Sequence, residues 1–351
     1  MNFSYKFPAV RGMQSGKHYY VSMIPLNLLS KLFVVDSEVG GPEFRAQRKL
    51  NEARIPAIKN YILANRDTYV FSALSASLDG EYTFRPYSGE DDIGILEVNM
   101  STTFLINDGQ HRKAAIEEAL LEDPNLGIET ISIVFFEDSG LERSQQMFTD
   151  LNKHAVKTSN SISTLYDSRD PLAVLTKDTI VKIPFLNLYT DKEKDNLGRN
   201  SSKLFTLTSI YKANKRIIRK SDVTEVDEHF LFDYWSAVAA NIVEWQELMR
   251  KEINKLDLRQ DYIICLNVTL AAFGRLGAHF YDNEAIKMKE ALSGLQKIDW
   301  SRTNLADWGN RVIGARGKIM SNETAIWLTC NKVKEKLGIP LSKDELKKEE
   351  R

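Results

Sequence analysis

The stretch Phe104–Asp123, FLINDGQHRKAAIEEALLED, decides how the chain is read. It opens with apolar and β-branched residues, as a strand does, and closes with the spacing of an amphipathic helix. Between the two lie Asp108, Gly109, Gln110, His111 and Arg112: an acid, a glycine, an amide, an imidazole and a guanidinium at one join. A strand-to-helix join offers unpaired backbone N–H groups and the positive end of the helix dipole, which together seat an anion. Gly109 supplies φ > 0 or lets a ligand approach the backbone. Arg112 brings a fork that fits phosphate or carboxylate. His111 can donate to an oxyanion or move a proton near neutral pH, and Gln110 can bond an amide or orient a water. Asp108 repels phosphate, so it suits either the N-cap of the helix or a divalent cation that bridges to phosphates. The string also has a ligand-free reading, with Asp108 as cap, Gly109 in the turn and Arg112 paired to Glu117 or Glu118.

Outward from this join the flanks read as mixed α and β. HYYVSMIP (His18–Pro25), VFSALSASL (Val70–Leu78), GEYTFRPY (Gly80–Tyr87) and TISIVFFED (Thr130–Asp138) have strand character, and in ILEVNMSTTFLI (Ile95–Ile106) Leu96, Val98 and Met100 alternate with polar residues. PEFRAQRKLNEARIPAIKNYILANR (Pro42–Arg66) reads as helix in two pieces, with Pro56 in a first turn where its missing N–H costs nothing. GLERSQQMFTDLNKHA (Gly140–Ala155) reads as a helix with Met147, Phe148 and Leu151 on one face. After about residue 200 strand patterns give way to helical spacing, in Phe230–Leu256, Asp261–Tyr281, Asn283–Ile298 and Glu323–Gly338. The expected fold class is α+β, with a mixed domain over 1–195, an all-helical domain over 196–340 and a solvated, frayed charged tail over 341–351. The boundary is placed in YTDKEKDNLGRNSSK (Tyr189–Lys203), a polar, charged segment.

Composition narrows the function classes. With 351 residues, 43% apolar and 27% charged, the chain has the make-up of an ordinary soluble protein. A net charge of −1 provides no global field toward nucleic acid or membrane, so a polyanion site has to be a local patch. The two cysteines, Cys265 and Cys330, form neither a CxxC nor a cluster, which argues against a zinc site, leaves no ligand set for an iron–sulfur centre and makes a reducing cytoplasm the natural setting. The N-terminus lacks the apolar core of a signal peptide, no stretch suits a membrane span, and no Gly-x4-Gly-Lys-Ser/Thr P-loop occurs.

The Asp108–Arg112 string resembles the signature of the DGQHR-domain family. Two flanking elements are similar as well: AQRKLNEARIPAIKNYI (Ala46–Ile62) and MFTDLNKHAVKTSNSISTLYD (Met147–Asp167). Within that family the chain most resembles the DndB-type proteins of DNA sulfur modification (phosphorothioation). The resemblance implies a ParB/sulfiredoxin-like N-terminal fold in which Gly109, Gln110, His111 and Arg112 cradle nucleotide phosphates, beside Asp108, Gln47, Arg48, Asn152 and Lys153. It implies a DNA-binding transcriptional autorepressor rather than a sulfur-transfer enzyme. Its expected partners are the double-stranded promoter DNA of its own operon, other sulfur-modification proteins and a second copy of itself. A nucleoside triphosphate with Mg²⁺ is the candidate cofactor. The alternative is a nucleotide hydrolase in which His111, Arg112 and Asp108 do the chemistry. A third reading, an interaction module that docks on the sulfur-modification enzymes, uses Phe230, Phe232, Tyr234, Trp235 and Trp245, although core packing is the better explanation of most of them.

Two local basic groups supply what net charge does not. From Asn196 to Ser221 there is no acidic residue but there are seven basic ones, Arg199, Lys203, Lys212, Lys215, Arg216, Arg219 and Lys220. In SIYKANKRIIRKS five of these fall at helical spacing, so one basic helix face is expected to meet DNA phosphates. The second group is WGNRVIGARGKIM (Trp308–Met320), with Arg311, Arg316 and Lys318 on a turn that Gly314 and Gly317 open toward a phosphate backbone.

Overall fold

Alternation of apolar and polar residues builds the first half of the molecule. The computed structural model describes residues 3–33, 50–137, 146–147, 149–151, 158–283 and 287–349. Contacts divide the chain into two compact units, Met1–Val156 and Lys157–Arg351. In the first, seven strands form one sheet: β1 (Ser4–Gln14), β2 (Lys17–Pro25), β3 (Leu74–Asp79), β4 (Tyr82–Pro86), β5 (Ile93–Asn99), β6 (Thr103–Asp108) and β7 (Thr130–Glu137). Their order is β4-β5-β1-β2-β7-β3-β6, antiparallel throughout except where β3 runs parallel to β7. Because successive side chains point to opposite faces, Phe7, Leu96, Val98, Ala76, Leu78, Phe104, Ile106, Ile133 and Phe135 gather on one buried face. The helices Ile55–Ala64 and Gln110–Glu122 join that core through Ile62, Ile116 and Ala119. Pro56 sits in the first turn of its helix, as its missing donor favours.

The second unit is helical around a tryptophan-rich core. Trp235, Trp245, Trp300 and Trp308 are fully buried, and Phe185 stacks on Trp245 with ring centroids 4.5 Å apart. At its centre the helix Asn267–Tyr281 lies against Leu207–Ile217, and two glycines permit the approach. A Cβ on Gly274 would stand 2.6 Å from the carbonyl oxygen of Ala213, and one on Gly277 would stand 2.7 Å from Ile217. YIICLNVTLAAFG is largely buried, with Asn267 exposed, and the helix starts only at Asn267, after a turn that carries the buried Ile263 and Ile264. Among the described residues no helix is long and apolar enough to cross a membrane.

Three expectations change. The segment Tyr189–Lys203 is no free linker and the unit division falls earlier than 195–196, because Asp195 accepts the backbone N–H groups of Asn160 (2.8 Å) and Ser161 (2.8 Å). Asp195 thereby satisfies the first two N–H groups of the helix Asn160–Tyr166, whose N-cap is Ser159, and ties this stretch to the helical unit. The expected frayed tail is helical over Lys343–Glu349, with Glu345 buried. The basic helix ends at Ile217, so Arg219 and Lys220 lie beyond it.

Candidate functional site

The Asp108–Arg112 join sits where β6 hands over to the helix Gln110–Glu122. Gly109 occupies the N-cap position with φ +104, a left-handed conformation open to glycine, and a Cβ there would meet Leu74 Cδ2 at 2.3 Å. Asp108 is therefore not the helix cap. Its Oδ2 accepts from an Arg112 terminal nitrogen at 2.6 Å. The other terminal nitrogen of Arg112 donates to the carbonyl oxygens of Ser72 (2.6 Å) and Ala73 (3.0 Å) and to the Ser72 hydroxyl (2.6 Å). Arg112 does not pair with Glu117 or Glu118; Lys113 takes Glu117 at 2.8 Å. His111 accepts the backbone N–H of Asn51 through Nε2 at 3.1 Å. The join thus ties together three segments far apart in sequence: residue 51, residues 72–73 and residues 108–112.

A charged hydrogen bond of this kind contributes about 1.5–3 kcal/mol, and the Arg112 side chain is only 17% exposed. Its fork is filled by a carboxylate and two carbonyls, so the guanidinium acts here as a brace on the entry into β3. One group at the join lacks a partner. Gln110 Nε2 is buried without an acceptor at the first turn of the helix, where backbone N–H groups also lack a side-chain cap. Beside it, Asn107 is fully buried, donates to the Ser77 hydroxyl at 2.7 Å and leaves its Oδ1 unpaired. Asn107, Ser72 and Asn51 escaped the sequence reading. Asn107 is an isolated polar residue in an apolar run, which was the signal available for it. Gln47, Arg48, Asn152 and Lys153 lie outside the described residues. For a Mg²⁺-nucleotide the fit is partial: Gln110 offers a free donor, while the Asp108 oxygen that a metal would need holds Arg112. Among the described residues no three His, Cys, Asp or Glu side chains converge as a metal cage.

The basic residues of the second unit divide into engaged and unengaged sets. Arg216 takes both carboxylate oxygens of Glu323, holding that carboxyl below its ordinary range. Arg219 pairs with Asp282, and Lys220 with the buried Asp227 at 2.9 Å. Burial alone would raise the Asp227 carboxyl, but hydrogen bonds from Tyr281, Thr224 and Lys220 outweigh it and lower it. Lys203 donates to the Leu188 carbonyl at 2.7 Å, and Arg311 binds Glu349 at 2.6 Å. In contrast, Arg199, Lys212, Lys215, Arg316 and Lys318 carry no ion pair or side-chain hydrogen bond among the described residues, and all five are exposed. The 314–318 turn closes with Gly314 N–H donating to the Lys318 carbonyl at 2.8 Å. Its tip places Arg316 (φ +59) and Gly317 (φ +73) in the left-handed region. The Arg216–Glu323 pair links the 207–217 helix to the segment that follows this turn. Tyr234, Trp235 and Trp245 are wholly buried, so core packing accounts for them. Burial pushes the Cys330 thiol up to about 11 and Cys265 higher still, away from nucleophilic use.

The family model for DndB, described as DNA-sulfur modification-associated, matches residues 7–340. The chain belongs to that family. No curated protein and no solved structure matches it.

Proposed function

We propose that this DndB-family chain is a DNA-binding transcriptional regulator, an autorepressor of a DNA phosphorothioation operon, whose DGQHR join holds a nucleotide or other phosphate. The observation that carries the reading is the set of exposed, unpaired cations on the helical unit: Lys212 and Lys215 on one helix, Arg316 and Lys318 on the turn, and Arg199. Each phosphate that such a side chain neutralises releases counterions, which supplies salt-sensitive affinity in a protein of net charge −1. Sensing at the join is supported by the unsatisfied Gln110 donor. An anion seated there competes with Asp108 for Arg112. Since Arg112 also holds Ser72 and Ala73, occupancy is felt at the entry to β3. The nucleotide-hydrolase reading has less support, because the Arg112 fork, the Asp108 oxygen and His111 Nε2 are all engaged.

Fluorescence anisotropy on the region upstream of the operon, against a scrambled duplex, at about 50 and 200 mM salt tests the reading. Preference for the upstream duplex is expected, shifted by ATP, GTP or CTP with Mg²⁺. Equal binding to both duplexes that vanishes at the higher salt would defeat the repressor reading. Hydrolysis that depends on Mg²⁺ and disappears in Arg112→Ala would favour the enzyme.

A further inference from the structure

The last helix, Lys343–Glu349, docks in an unusual manner. A helix this short is unstable alone and ordinarily gains its place by burying an apolar stripe. Here the one buried side chain is a carboxylate, Glu345, while Leu346 stays 50% exposed. Glu345 pairs with Lys334 at 2.7 Å, both side chains being nearly fully buried, and accepts the Ser342 N–H at 2.8 Å. One turn on, Glu349 takes Arg311 at 2.6 Å. Asn331 donates to the Glu345 carbonyl at 3.1 Å and to Glu349 at 2.9 Å. The helix is held by two acids on one face, and residues so spaced stand roughly 5–6 Å apart. Both cations beneath it lie on segments that flank the exposed turn of Arg316 and Lys318 in the chain, Arg311 close before it and Lys334 in the last turn of the helix Glu323–Lys336 that follows it.

We propose that the helix Lys343–Glu349, neutral overall but docked through the carboxylates of Glu345 and Glu349, is a cover on a phosphodiester-binding surface. Glu345 and Glu349 take, on Lys334 and Arg311, the places that two phosphates of a DNA strand occupy once the helix lifts. The inference rests on the DNA-binding reading and extends it, since lifting the cover joins Arg311 and Lys334 to the free cations of the turn. A polar contact lends itself to such exchange. Every bond it gives up is replaced by one of the same kind, whereas an apolar contact would leave hydrophobic surface in water.

The test compares the full chain with a chain ending at Pro340 and with Glu349→Gln, by anisotropy on a scrambled duplex across a salt series. The shortened chain is expected to bind at least tenfold more tightly, with a log–log salt slope steeper by about two phosphates' worth, close to −1.8. Adding Arg311→Ala to it should remove about half of that gain. Glu349→Gln frees Arg311 while keeping the Lys334–Glu345 pair, so it remains informative if the shortened chain fails to fold; its slope should steepen by about one phosphate. If the full chain binds DNA and both variants keep its affinity and slope, the cover is refuted and the DNA-binding reading stands. If neither the full chain nor the variants bind, both fall together.

Discussion

The Asp108–Arg112 join and the 314–318 turn carry similar chemistry, an arginine beside a glycine of positive φ, and the fold uses them in opposite ways. At the join, Arg112 turns inward and binds Asp108, Ser72 and Ala73. At the turn, Arg316 projects with no partner among the described residues. What separates them is the set of acceptors within reach. A strand-to-helix corner places a carboxylate one helical turn from the guanidinium and two carbonyls opposite it. At the tip of the turn no carboxylate pairs with Arg316 or Lys318 among the described residues. A cation that is already paired stabilises the fold; an unpaired one is available to a polyanion.

If that comparison is right, substitutions at the join should damage stability and those at the turn should damage binding. All five tryptophans lie in the helical unit, so tryptophan fluorescence reports that unit and far-UV circular dichroism reports both. Gly109→Ala has the largest expected effect. It forces a left-handed alanine against Leu74 and should cost the first unit about 3 kcal/mol, seen as an early dichroism transition with the tryptophan transition unmoved. Arg112→Ala should follow at about 2 kcal/mol, and Arg112→Lys should not rescue it, because an ammonium cannot span the carboxylate and both carbonyls. An unchanged transition in Arg112→Ala would mean the guanidinium is no brace.

Acid should sharpen the picture within the helical unit. Burial, helped by the neighbouring Lys334, holds the His279 imidazole below its ordinary 6.5, although Glu345 and Asp282 pull the other way. The unfolded chain therefore binds a proton that the folded one refuses. The stability from this group is complete above about pH 6.5 and is lost as pH falls through the lowered value. The Glu345 carboxyl feels burial upward, but its bonds to Lys334 and Ser342 prevail and hold it below 4.5. Its stabilisation is present above that value and lost at lower pH. The tryptophan-reported midpoint should fall between about pH 7 and 5, and His279→Gln should flatten that slope. At the small end, Arg316→Gly should leave stability within about 0.5 kcal/mol, since glycine accepts φ +59 and no contact is lost, while still weakening DNA binding.

Several strands were legible because their burial follows a period of two, and Leu96 and Val98 mark β5 in the sequence as they do in the sheet. But the alternation read on through Met100 breaks there, Ile95–Ile106 falling on two strands with Met100 exposed between them, and β1 was not read at all. The helix after the join was legible from its spacing, but its start was not: it opens at Gln110, inside the string that the sequence placed between strand and helix, with Gly109 rather than Asp108 as its cap. What the sequence hid are the long-range partners. Nothing local in Ser72 or Ala73 says that their carbonyls meet Arg112, and the spacing of Arg216, Arg219 and Lys220 gave no hint of Glu323, Asp282 and Asp227. A charged tail looked solvated because Lys334 and Arg311, which bind it, are distant in the chain.

The central claim is that the unpaired cations of the helical unit, rather than the arginine of the signature string, meet DNA. The most direct test is the salt dependence of binding to the upstream duplex for wild type and for the double variant Arg316→Ala/Lys318→Ala. The account predicts an intact tryptophan transition and a slope shallower by about two phosphates' worth. An unchanged slope and affinity in a folded double variant would contradict it.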